Sequence, residues 1–105
     1  MGVKAGVEEI ARDHPEWLTT LINACRASES AERNHPELPE FTFGLVRLFD
    51  PSPSVNMRVF LNRGLVERSP RGEGRKAWYV MPRRGEIEKA IIVVESSKWS
   101  QDRRR

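Results

Sequence analysis

The chain has one cysteine, Cys25, in 105 residues, so it cannot form a disulfide within itself, and its thiol content gives secretion no support. No apolar run approaches the roughly 18–20 residues that a membrane-spanning helix requires. The opening Met1-Gly2-Val3-Lys4-Ala5-Gly6-Val7-Glu8-Glu9 has no apolar core behind its early lysine, and a secretory signal is not visible. The two histidines, His14 and His35, stand apart near prolines and with one thiol make no metal-ligand spacing. No glycine-rich loop runs into Lys-Ser or Lys-Thr, and Gly72-Glu73-Gly74 is too short to cradle a nucleotide phosphate. These absences predict a cytoplasmic protein that is not an enzyme, with no cofactor, no metal, no membrane association and no evident small-molecule ligand.

What is present fits one domain with a modest core. Charged residues make up 31% and apolar ones 38%, the first above and the second below the usual soluble average. The charge is unevenly placed. Residues 1–54 hold five basic and nine acidic groups, and residues 55–105 hold thirteen basic and six acidic, so a net −4 half precedes a net +7 half. A folded domain of this kind can present one strongly positive side, which concentrates polyanions. Arginine outnumbers lysine fourteen to four, and its planar fork suits phosphate and guanine edges better than a mobile ammonium does.

Periodicity predicts the elements. Val7, Ile10 and Ala11 share a face in a short helical turn over 7–12. Asp13-His14-Pro15-Glu16 reads as a helix start, and Leu18, Leu21, Ile22 and Cys25 recur at i, i+3, i+4 and i+7 in a helix ending near Ser28. The face places Cys25 as a buried structural thiol, not a nucleophile. Glu29 to Glu40 is polar, holds two prolines and reads as a loop. Phe41, Leu45, Leu48 and Phe49 fit a helical face; Phe41 to Leu45 also alternates as a strand would, but the later residues favour the helix. After the breaker Asp50-Pro51-Ser52-Pro53, Ser54 is a candidate cap for a helix over 55–63 with Met57, Phe60 and Leu61 inward. Gly64 is its expected left-handed stop. Leu65–Arg68 and Ala77–Val80 flank a polar, glycine-containing loop, a hairpin signal. Ile87, Ala90, Ile91 and Val94 mark the apolar face of a last helix.

From Phe41 to Gly85 these residues resemble the winged helix-turn-helix domain of bacterial and archaeal transcription regulators, such as the multiple-antibiotic-resistance and arsenic-repressor groups. Phe41–Phe49 matches the positioning helix and Ser54–Arg63 the recognition helix. Gly64-Leu65-Val66-Glu67-Arg68 resembles the turn into the first wing strand, Arg71 to Lys76 the wing tip, and Tyr79–Gly85 the closing strand with its aromatic residue. The turn at Asp50–Ser54 is proline-rich and lacks the glycine often found there. The resemblance implies a mainly α fold with a small β-hairpin (α+β), a three-helix core carrying a wing and a C-terminal helix. One domain then spans 1–97, with the helix-turn-helix at about 41–63, the wing at about 65–81 and the last helix at about 85–97; 98–105 is a basic flexible tail.

It also implies sequence-selective binding of double-stranded DNA and a role in transcription regulation. In the helix-turn-helix docking mode the recognition helix enters the major groove. Its outer face supplies Ser54, Asn56, Arg58, Asn62 and Arg63, residue types that bond adenine, guanine or phosphate. Arg68, Arg71, Arg75 and Lys76 of the wing gain by displacing condensed counterions, while Arg83 and Arg84 are candidate phosphate contacts at its base. Trp78 and Tyr79 are expected in the core, not stacked on bases. The stripe Ile87, Ala90, Ile91 and Val94, with the leading helix around Trp17 and Leu21, is either a homodimer surface or packing within the chain. The alternative function is a winged-helix adaptor inside a larger nucleic-acid-processing or transcription assembly, without base readout.

Overall fold

The computed structural model describes residues 2–70 and 77–103, with side chains as far as residue 96. Among these, the elements run α1 (Val3–Asp13), α2 (Trp17–Asn34), β1 (Phe41–Thr42), α3 (Phe43–Phe49), α4 (Met57–Asn62), β2 (Glu67–Arg68), β3 (Trp78–Val80) and α5 (Arg84–Arg103). The chain is mainly helical with one small antiparallel sheet, an α+β arrangement. Strand order is β1-β3-β2, with Phe41 opposite Tyr79 in one pair and Arg68 opposite Tyr79 in the other. No described helix is long and apolar enough to cross a membrane.

Several elements differ from the sequence expectation, each for an identifiable physical reason. α1 begins at Val3, so that Val3, Gly6, Val7 and Ile10 all bury. α2 continues past Ser28 to Asn34, where a loop was expected. Ala27, Ser28 and Ala31 extend its buried face, and Arg33 pairs with Glu29 one turn earlier at 2.9 Å. It stops where His35, the residue before Pro36, leaves the helical conformation.

Phe41 leaves the expected helical face for β1, and its ring meets Tyr79 at 6.1 Å between centroids. Thr42 then caps α3, its hydroxyl accepting the Leu45 N–H at 3.3 Å. Starting the helix at Phe43 turns Val46 inward and leaves Leu48 79% and Phe49 40% exposed, contrary to the face read from the sequence.

The core gathers Val7, Ile10, Leu21, Val46, Phe60, Leu65 and Ile87, all of them fully buried or within 1% of it. Burying one such side chain stabilises by about 1.5–3 kcal/mol. Ile87, Ala90 and Ile91 of α5 belong to this core, and Val94 packs against it. The apolar stripe of the last helix is therefore internal packing, and so is Leu21, which removes both from the candidate dimer surface. Cys25 is buried, as expected, and burial pushes its thiol up to about 12. Trp78 and Tyr79 are half-buried on β3, with Tyr79 packed on the core. α5 runs on helically to Arg103, where a loose tail was expected from residue 98.

Candidate nucleic-acid interface

α4 is one and a half turns long, and both ends are built by identifiable contacts. Its N-cap is Asn56, not Ser54: Asn56 Oδ1 accepts the Arg58 N–H at 3.1 Å. Ser54 lies two residues back in the turn, where its N–H donates to Thr20 Oγ1 at 3.0 Å. The same hydroxyl donates to Asp50 Oδ2 at 2.9 Å, so one buried threonine of α2 holds both ends of the proline-rich turn. That turn sets how α4 leaves α3.

At its other end α4 stops as the sequence predicts, with Gly64 at φ +71°. The Leu65 N–H reaches the Phe60 carbonyl at 2.9 Å and the Gly64 N–H reaches Leu61 at 3.1 Å. This pair of bonds satisfies carbonyls that the helix end would otherwise leave open, and Phe60 and Leu65 bury together beneath it. The chain then passes directly into β2 and the hairpin.

Met57 and Phe60 are buried and Leu61 is half-buried, the inward face foreseen for this helix. Arg58 and Asn62 are exposed on its outside, Arg68 is exposed on β2, and Arg83 is exposed just before α5. Among the described residues none of these four side chains has a hydrogen bond or ion pair. Arg47, which the sequence reading passed over, is a further exposed cation on α3.

Two expected contacts are turned inward instead. Arg63 donates from Nε and Nη2 to Glu9 Oε1 at 3.2 and 2.9 Å, and from Nη1 to the Val59 carbonyl at 3.3 Å. Arg84 meets Glu32 Oε2 at 2.6 Å and Glu88 Oε1 at 3.2 Å, with Ser28 Oγ at 3.4 Å. Burial works against the charge on Arg84, but the two glutamates more than offset it, and its pKa lies above the ordinary value. The Arg84–Glu88 pair has the i,i+4 spacing of a helix, but nothing local in the sequence marks Arg84–Glu32 or Arg63–Glu9, the latter 54 positions apart.

The hairpin is braced from below. The Ser69 hydroxyl donates to the buried Glu40 carboxylate, and the Ser69 N–H donates to the Trp78 carbonyl at 2.9 Å. The wing-tip cations Arg71, Arg75 and Lys76 lie outside the described residues. Among the described residues no cluster of three or more His, Cys, Asp or Glu could hold a metal ion.

Compared with known proteins, the chain matches no family model, no curated protein and no solved structure.

Proposed function

We propose that this chain is a sequence-selective, double-stranded-DNA-binding protein of the winged-helix type, acting in the cytoplasm as a transcription regulator. The order α2, β1, α3, α4, β2, β3 and the sheet order β1-β3-β2 support the winged-helix part of this reading. One observation carries the functional part. The outer face of α4 offers Arg58 and Asn62 to solvent, and the next strand adds Arg68, all three without partners among the described residues.

In this reading α4 enters the major groove. Asn62 bonds a base edge and Arg58 a guanine or phosphate, while Arg68 and the wing cations Arg71, Arg75 and Lys76 grip the backbone. Asn56 serves the helix as its cap, and Arg63 and Arg84 serve the fold. One such module covers little of a duplex, and a symmetric pair raises affinity and selectivity together, so the working form is a homodimer.

Selection of bound sites from random duplexes tests the proposal. A defined motif whose preference relaxes in Arg58→Ala and Asn62→Ala supports it, and enrichment of no motif overturns it. The exposed Leu48 and Phe49 at the end of α3 favour the second reading, an adaptor that docks a protein through this apolar edge without base readout. Under that reading no motif emerges.

A further inference from the structure

Glu40 is 6% exposed, and so is Ser69, whose hydroxyl donates to the Glu40 carboxylate. Burying a carboxylate costs free energy that an apolar side chain in the same place would not. What the bond provides is a link that the sheet itself lacks. Glu40 is the residue before β1 and Ser69 the residue after β2, and these are the outer strands, with β3 between them. Ser69 is also fixed to the middle strand, its N–H donating to the Trp78 carbonyl at 2.9 Å. Arg71, Arg75 and Lys76 all fall between Ser69 and Trp78 in the sequence. At the other end of the link, the Glu40 N–H donates to the Leu38 carbonyl at 2.8 Å, and Thr42, two residues on, caps α3. One short segment thus ties the start of the polar loop to the helix that precedes α4.

We infer that Glu40 is a positioning residue for the loop cations, which it places by holding the start of the loop against α3. The inference rests on the duplex-binding reading above. Contacts to phosphate set the register in which a helix meets base edges, so their value depends on where the loop begins. A hydrogen bond has a direction and fixes one atom against another, whereas apolar burial has none. A loop that is ordered only on binding costs affinity for each long side chain it immobilises. Glu40 is buried and acts through Ser69, not on the duplex.

Fluorescence anisotropy of a labelled random-sequence duplex at low salt provides the test, with circular dichroism and urea unfolding to follow the fold. Glu40→Ala and Ser69→Ala are each expected to weaken binding on the order of tenfold. Deleting an acidic side chain would by charge alone favour phosphate, so a loss in Glu40→Ala reports position. Glu40→Gln, which keeps an acceptor for the Ser69 hydroxyl, is expected to bind as tightly as the unaltered chain. Added to Arg71→Ala/Arg75→Ala/Lys76→Ala, Glu40→Ala is expected to cost no more than about twofold further, because no loop cations remain to be placed. A Glu40→Ala chain that is less stable but binds as tightly as the unaltered one overturns the inference. So does an equal loss in the triple-variant background, or a Glu40→Gln chain as weak as Glu40→Ala. If Glu40→Ala fails to fold, Ser69→Ala, a smaller change, decides in its place, alone and in the triple background. An unaltered chain that ignores duplex DNA overturns the duplex-binding reading itself, and the inference with it.

Discussion

The guanidinium carbon of Arg63 lies 5.4 Å from the centre of the Trp17 ring, while two of its nitrogens hold Glu9. One side chain at the end of α4 thus reaches both α1 and the first residue of α2. Trp17 is itself stacked on His14, with ring centroids 3.7 Å apart and planes 11° from parallel. The helix proposed to read bases is fastened to the N-terminal part of the chain through charge and π contact rather than through apolar packing alone.

Replacing Glu9 with Gln leaves the half-buried Arg63 charge without its counterion. A stability loss of about 1.5–3 kcal/mol is expected in urea denaturation. Arg63→Ala is expected to lower stability similarly while leaving the salt dependence of duplex binding unchanged, because Arg63 faces inward. Arg58→Ala should do the reverse.

Thr20 connects the turn to α2 through two hydrogen bonds, one to Asp50 and one from Ser54. Thr20→Val keeps the shape and removes both, leaving a buried carboxylate without that donor. The expected cost is about 1–3 kcal/mol, read as a lower denaturation midpoint at unchanged slope.

Much of the fold was legible in the sequence because short-range chemistry determined it. The inward residues of α4, the stop at Gly64, the hairpin around the polar loop and the burial of Cys25 follow from spacing and from residue type. The segment at Phe41 is misread because a distant residue decides it. Phe41 has a helical period with Leu45 and Leu48, but a strand partner at Tyr79 captures it, and the face of α3 rotates in consequence. The site divides in the same way. Arg58, Asn62 and Arg68 stay outward as their helical and strand positions suggest, whereas Arg63 and Arg84 are claimed by Glu9 and Glu32, which no local pattern announces.

Gly64 takes a backbone conformation that a Cβ disfavours, although no neighbouring atom would obstruct one. Gly64→Ala therefore isolates the backbone term, and a loss of about 1–2 kcal/mol is expected from thermal or chemical unfolding.

Burial raises the Cys25 thiol from 9.0 to about 12. The folded state retains this proton where the unfolded state has lost it. The thiol's contribution to stability is therefore complete below pH 9 and declines as pH rises toward 12. At pH 8 a disulfide reagent is expected to label Cys25 on the order of 10³-fold more slowly than in the urea-unfolded chain, where the thiolate is accessible.

The proposed function requires cations of α4 and the wing to displace counterions from a duplex. The most direct measurement is the salt dependence of duplex affinity for the unaltered chain and for Arg71→Ala/Arg75→Ala/Lys76→Ala. Binding is expected to weaken linearly in log–log form, with a slope shallower in the variant by about 0.9 for each phosphate contact removed. Affinity and slope that are identical in the two proteins, or an unaltered chain that ignores duplex DNA at low salt, would contradict it.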